Sequence, residues 1–335
     1  MGKLGIGRKI IRFALVISVA IPLGIFIANT DFKSVQKELM QVGANFGFIL
    51  VTTGFAYLLG TWSWRICLGK EALKISMYRL FVIRLIGETV GLFNPSSIVG
   101  GDMVKAQLLK NHHIDSGTAS QSVLSSRTTA ILSQVFLFMV AICWLMLSGH
   151  RQQTLAITGP FIYLVVLILL LLHVLLLQWL GSPAKMPYQH STALNWYTKI
   201  KNSVGKHLVQ LKSFYQYDKK RFWQSYLVAA LHWVAGSLEL YFILYFLGFK
   251  AHLIQGLALD MSIIGIKSCA AFIPGQLGVE EMANKITLAM IGISGGNIWI
   301  TVSILRRTRQ LIWIFMGVVF LCFFKNEVRN STAEA

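Results

Sequence analysis

Apolar residues fall along this chain in long blocks, without strict alternation. Stretches 10–28, 45–64, 127–147, 155–180, 222–247 and 298–324 approach or exceed the roughly 20 residues that cross a hydrocarbon core as a helix. Short charged loops separate them. Two further stretches, 75–126 and 253–293, begin apolar and are then broken, the first by Asn94-Pro95-Ser96-Ser97 with Gly100-Gly101-Asp102, the second by Pro274-Gly275-Gln276-Leu277-Gly278. Proline and glycine interrupt a helix, and broken backbone at membrane depth is tolerated where it is buried in protein or lines a cavity. The pattern predicts an all-α polytopic membrane protein with about six full spans and two re-entrant broken-helix hairpins.

Charge orients the spans. Lys3, Arg8, Lys9 and Arg12 precede the first block, which is long for a signal-peptide core and lacks a small-residue cleavage site, so it reads as a retained span. The second span lands on Arg65, Lys70, Lys74, Arg79 and Arg84. The most basic loop, 181–221, carries Lys185, Lys199, Lys201, Lys206, Lys212, Lys219, Lys220 and Arg221 against Asp218. Basic loops stay cytoplasmic, which puts both termini in the cytoplasm and the chain in the cell (inner) membrane. Hairpin 75–126 then enters from the cytoplasmic side and hairpin 253–293 from outside. The whole reads as one transmembrane domain. Residues 1–44 are the first span and loop, 45–147 one repeat unit, 155–180 a linking span, 181–221 the basic loop, 222–324 a second unit and 325–335 the tail.

Composition agrees, with 55% hydrophobic and 13% charged residues and a mean hydropathy of +0.62. The formal charge of +18 would suggest nucleic acid in a soluble protein. Here it is dispersed among spans, as orientation signals and contacts to anionic headgroups are, and nucleic acid is excluded as a partner. Within the basic loop Trp196, Ile200, Val204, Leu208, Leu211 and Phe214 recur at helical spacing opposite lysines. That fits an interfacial amphipathic helix or a solvated helix packed on other loops.

Aligning Pro95 with Pro274 without gaps matches Met103 with Met282, Leu109 with Leu288, Ile114 with Ile293, Gly117 with Gly296, Val123 with Val302, Arg127 with Arg306 and Thr129 with Thr308. With the prolines that is 8 identities in 35 positions, where background usage gives about two or three. Together with the opposed entry sides, this predicts an inverted-topology repeat, in which substrate sites lie where the interrupted elements meet. Arg127 and Arg306 each follow their proline by 32 residues, at or inside an apolar helix. An arginine there needs a cavity, a counter-charge or an anionic ligand, and its planar fork suits phosphate. Either alone could instead snorkel to the interface; recurrence favours a paired role. The register singles out Arg306 from its neighbours Arg307 and Arg309.

Asp102 and Glu281 stand seven residues after their prolines, with Lys105 and Glu280 nearby. Such acids either cap the helix that follows or face the arginines. Glu88 and Lys267 stand seven residues before the prolines with opposite charge, and pair if the hairpin tips meet. Glu239, inside a span, is a candidate for proton or ligand handling, whereas His173 reads as a hydrogen-bonded core residue. Cys67, Cys143, Cys269 and Cys322 form no CxxC pair and read as apolar fillers. His112 and His113 lack further ligands, so neither metal nor cofactor is expected, and no nucleophile-elbow, zincin or Walker motif is present.

Asn94-Pro95-Ser96-Ser97, Gly100-Gly101-Asp102 with Lys105, Arg127 heading a span, Pro274-Gly275-Gln276-Leu277-Gly278 with Glu281, and Arg306 or Arg307 near the last span together resemble the lysylphosphatidylglycerol synthase transmembrane region, a flippase-like membrane family. Gln276 and Lys105 depart from the glycine and arginine usual there. In two-part members a soluble domain makes the modified lipid and the membrane region moves it. With about ten residues beyond its last span, this chain is expected to be the membrane region alone, not the synthase.

The resemblance implies a translocator of an anionic or aminoacylated phospholipid or a polyprenyl-phosphate lipid, with Arg127 and Arg306 on the lipid phosphate. The groove would be formed by Glu88, Asn94, Pro95, Gly101, Asp102, Lys105, Lys267, Pro274, Gly275, Gly278, Glu280 and Glu281. The alternatives are an enzyme or subunit acting on polyprenyl-linked sugars, and a non-catalytic anchor for a separate lipid synthase or glycosyltransferase.

Overall fold

The computed structural model describes residues 42–93, 97–147, 153–183, 196–269, 278–293 and 298–323, with isolated positions 33, 36, 37 and 40 before them. The first apolar block, the tail 325–335, and Asn94, Pro95, Pro274 and Gly275 lie outside the described residues. Ten α-helices follow in order: α1 Phe46–Leu68, α2 Met77–Phe93, α3 Ser97–Lys110, α4 Ser116–Leu147, α5 Gln153–Gly181, α6 Trp196–Tyr217, α7 Lys219–Phe246, α8 Leu253–Cys269, α9 Val279–Met290 and α10 Ile298–Phe323. No strand occurs among the described residues. Among the described residues four helical stretches, Gly43–Lys74, Ser116–Leu147, Tyr163–Gly181 and Lys219–Phe246, are long and apolar enough to cross a membrane. Helix α10, 26 residues long, has the length, but Arg306, Arg307 and Arg309 remove it from that apolar class.

Local chemistry sets the helix starts. The Asp115 carboxylate accepts from the Gly117 and Thr118 backbone N–H groups at 2.8 and 3.2 Å, an N-cap that begins α4. The helix therefore starts eleven residues before the apolar span at 127, and Arg127 sits inside it rather than at its head. Hydropathy misses this first part because it is Ser- and Gln-rich, yet Ala119, Ser122 and Ser125 are buried. Small residues let membrane helices approach closely. At α8 the Gln255 side chain accepts from the His252 N–H at 2.8 Å, one half of a capping box. Gly278, at φ 81°, turns the chain into α9 through a conformation glycine adopts freely.

The helices pack as two helix pairs set around long helices. Helices α2 and α3 lie against each other, as do α8 and α9; α1 has its most extensive contact with α7. The α1–α7 seam is made of Ala56, Leu59 and Ala235 and of hydroxyls, with Ser225 Oγ 2.9 Å from Ser63 Oγ and 2.8 Å from Thr129 Oγ1 on α4. Cys67 also donates to Ser225 Oγ, at 3.2 Å. One apolar core surrounds α2 and α3 through Leu80, Ile86 and Leu109. Another joins α1, α7, α8, α9 and α10 through Ile49, Ile243, Ile263, Leu288 and Leu305. In α6, Leu211 and Phe214 bury against Leu180, Phe222 and Tyr226. The Lys212 ammonium donates to Ser182 Oγ at 2.9 Å and lies 4.2 Å from the Trp179 ring centroid, so this part of the helix packs on the bundle. His173 is buried, but its Nδ1 has no hydrogen-bond partner among the described residues; its ring instead packs near Phe136 and Tyr226.

Gly101 marks the closest approach of α2 and α3. A Cβ there would lie 3.0 Å from the Gly91 Cα and 3.2 Å from its nitrogen, backbone atoms that cannot turn aside. Gly101→Ala is expected to destabilise the protein by about 1–3 kcal/mol, read as a lower melting temperature in detergent. Gly47→Ala, with open space around it, should hold or raise the melting temperature.

Candidate functional site

The charged residues singled out by sequence collect in two clusters. In the first, Asp102 on α3 accepts the Arg127 guanidinium of α4, Nη2 to Oδ1 at 3.0 Å, while Nε pairs with the other carboxylate oxygen. This is the two-pronged geometry in which arginine is strongest. Lys105, one turn along α3, has its ammonium 3.6 Å from Asp102 and 4.0 Å from Glu88, both beyond hydrogen-bond length. Glu88 is held by Arg84, one turn before it on α2, at 2.7 Å. Arg84 therefore belongs to this site rather than to the loop cluster with Arg65 and Arg79. It reaches across because Gly60 of α1 leaves room for its guanidinium, which lies 6.0 Å from the Tyr57 ring centroid. Gly101 takes no direct part; its role is the α2–α3 contact.

These residues line a cavity of about 290 Å³. Its walls come from α1 (Ser63, Trp64), α4 (Ser126, Gln134), α7 (His232, Trp233) and α8 (Ile264, Ser268) as well as α2 and α3, so residues of both helix pairs contribute. Three cations, Arg84, Lys105 and Arg127, face two carboxylates, Glu88 and Asp102. One positive charge is left over. Arg127 Nη1 has no bond among the described residues, and the side chain is 32% exposed.

The second cluster is closed. Arg306 is 4% exposed and has all three guanidinium nitrogens committed, Nη1 and Nη2 to Asp260 Oδ1 at 3.0 and 2.9 Å and Nε to Glu280 Oε1 at 3.1 Å. The other Glu280 oxygen accepts from Lys267 at 2.9 Å. Arg307 pairs with Glu281, and Arg309 pairs with Glu239 at 2.5 Å. Four cations meet four carboxylates, and none of the eight lines the cavity.

Measured against the sequence expectations, Arg127, Asp102, Lys105 and Glu88 come together in the cavity. Arg306, expected beside Arg127 on a phosphate, lies in the closed cluster with its donors filled. Glu88 and Lys267, expected to pair across the hairpins, each have a partner within their own helix pair. Glu239 is engaged by Arg309. Asp260 was missed, although an acid in the apolar run Leu253–Cys269 is itself a signal. Arg84 was missed as a site residue, although its spacing of four from Glu88 places the two on one helix face. His232 had no sequence signal beyond its position in a span.

The chain belongs to the family described as the lysylphosphatidylglycerol synthase TM region, whose model matches residues 9–321. No curated protein and no solved structure matches it.

Removing Arg306 would leave Asp260 and one side of Glu280 buried without their main partner. Arg306→Ala is expected to cost about 3–5 kcal/mol, seen as a large drop in melting temperature and in yield of monodisperse protein. Arg127→Ala, at the partly exposed site, should melt much closer to the unsubstituted protein.

Proposed function

We propose that this protein translocates a phosphate-bearing lipid, an anionic or aminoacylated phospholipid, across the cytoplasmic membrane, and that the cavity between the two helix pairs receives the phosphate. The observation that carries this reading is the surplus charge. Among the described residues, Lys105, 11% exposed, has no partner at hydrogen-bond length, and Arg127 keeps Nη1 unbonded. An uncompensated charge at membrane depth is costly, and an anionic headgroup would remove that cost. Arg127, through the Nη1 that Asp102 leaves unbonded, is the primary ligand in this reading; Lys105 and Arg84 add charge.

The reading treats α2–α3 and α8–α9 as re-entrant hairpins of an inverted repeat, entering from the cytoplasm and from outside respectively. In this architecture α10 and the first apolar block, 10–28, complete six spans with both termini cytoplasmic. The length of α10 and the full pairing of its three arginines support that role, since a paired arginine is less costly in lipid. Membership of a family defined by the membrane region of a lipid synthase supports the lipid class. In each proposed repeat an acid early in the helix after the break, Asp102 or Glu280, meets an arginine of the long helix that follows. Arg306, saturated and neutral in sum, would hold the second unit together instead of touching the lipid.

The test is reconstitution. Proteoliposomes should exchange a fluorescent short-chain phosphatidylglycerol between leaflets faster than empty vesicles. Arg127→Ala, folded by its melting curve, should slow that exchange at least about tenfold, the equivalent of 1.4 kcal/mol, with Arg127→Lys in between. Equal exchange by empty vesicles, or an unaffected Arg127→Ala, would overturn the reading.

A further inference from the structure

The cavity has a second wall that a phosphate does not use. His232 Nδ1 lies 2.6 Å from the Ala56 carbonyl oxygen. A carbonyl can only accept, so Nδ1 carries the proton, and the neutral ring then presents Nε2 as an acceptor. That nitrogen has no partner among the described residues, and the ring lines the cavity. Glu88 lines it too. Its Oε1 is taken by Arg84 at 2.7 Å, while Oε2 has no partner among the described residues and the side chain is 30% exposed. The cavity therefore combines cationic donors with two acceptors that nothing among the described residues fills.

Acceptors enclosed without a donor are costly when a ligand displaces their water. A phosphate alone satisfies the cations and leaves these acceptors unmet, whereas a headgroup carrying an N–H or O–H satisfies both sides. We infer that the cavity selects lipids whose phosphodiester bears a hydrogen-bond-donating headgroup, and that His232 Nε2 and Glu88 read that donor. This rests on the cavity being a lipid-phosphate site, and the experiment separates the two claims.

Phosphatidylglycerol and phosphatidylmethanol carry the same charge and the same diester, and only the first has headgroup hydroxyls; phosphatidylethanolamine supplies an ammonium instead. Binding of each to the full chain in detergent is measured by native mass spectrometry. The unsubstituted protein should bind phosphatidylglycerol, phosphatidylethanolamine or both about tenfold more tightly than phosphatidylmethanol, the scale of one hydrogen bond to a charged or enclosed acceptor. In His232→Asn the amide can keep the bond to Ala56 while the Nε2 acceptor is gone. That variant should lose most of the preference.

Equal binding of all three lipids by the unsubstituted protein overturns the inference, as does a full preference retained in His232→Asn. The phosphate-site reading fails separately, if Arg127→Ala binds phosphatidylmethanol as tightly as the unsubstituted protein. The first arm needs no variant, so a folding defect in His232→Asn does not decide the outcome.

Discussion

Charges within the apolar helices must find partners, and this requirement ties the molecule together. Arg84, Lys105, Arg127, Lys267, Arg306, Arg307 and Arg309 meet Glu88, Asp102, Glu239, Asp260, Glu280 and Glu281 in pairs. Most of these pairs join different helices, so they act as cross-links. Asp102 to Arg127 joins α3 to α4, Asp260 and Glu280 join α8 and α9 to α10, and Glu239 joins α7 to α10. Truncating one partner of a buried pair strands the other and costs far more than the pair contributes. The positions of six helices are thus coupled to charges that would be improbable in lipid if isolated.

Small residues let those charges reach one another. Arg84 extends over Gly60, the Lys105 stem crosses Gly87, and Gly101 brings α3 onto α2. Along α1 and α7 the alanines and serines bring the backbones close enough for His232 to reach the Ala56 carbonyl. Between helices in a bilayer there is no hydrophobic drive comparable to that in water, so such close packing and hydrogen bonding carry the association. The cavity is the place where that packing stops and the polar side chains remain.

Much of this was legible in the sequence. Block length gave the long helices, the two breaks placed the short helix pairs, and the proline register placed Arg127 near Asp102 and Lys105. An ungapped register aligns positions, not helix starts. Helix α3 begins two residues after its proline and α9 five residues after its own, so the equivalent acids occupy different turns. Glu280, on the face shared with Ala283, Asn284 and Thr287, turns inward to Arg306, and Glu281 meets Arg307. The charge total of the first cluster was obscured for a different reason: Arg84 sits at the end of a run of loop cations, which hides its spacing of four from Glu88, and the room left by Gly60 brings it to the cavity.

The two clusters hold residues that the proline register aligns but differ in balance, and under the proposed function the difference bears on how a translocator would move. In the Arg306 cluster every cation has a carboxylate, and opening it would expose several bare charges at once to a low-dielectric surrounding, at several kcal/mol each. A lipid offering one phosphate cannot replace that set of partners. Around Lys105 and Arg127 the ties are fewer, longer on the lysine side, and one charge short of neutral, so an arriving anion completes the set instead of competing with it. Under the proposed function, α8, α9 and α10 would therefore travel as one locked body. The α2–α3 pair, whose charges change partners when a lipid enters, is where binding energy can be converted into movement.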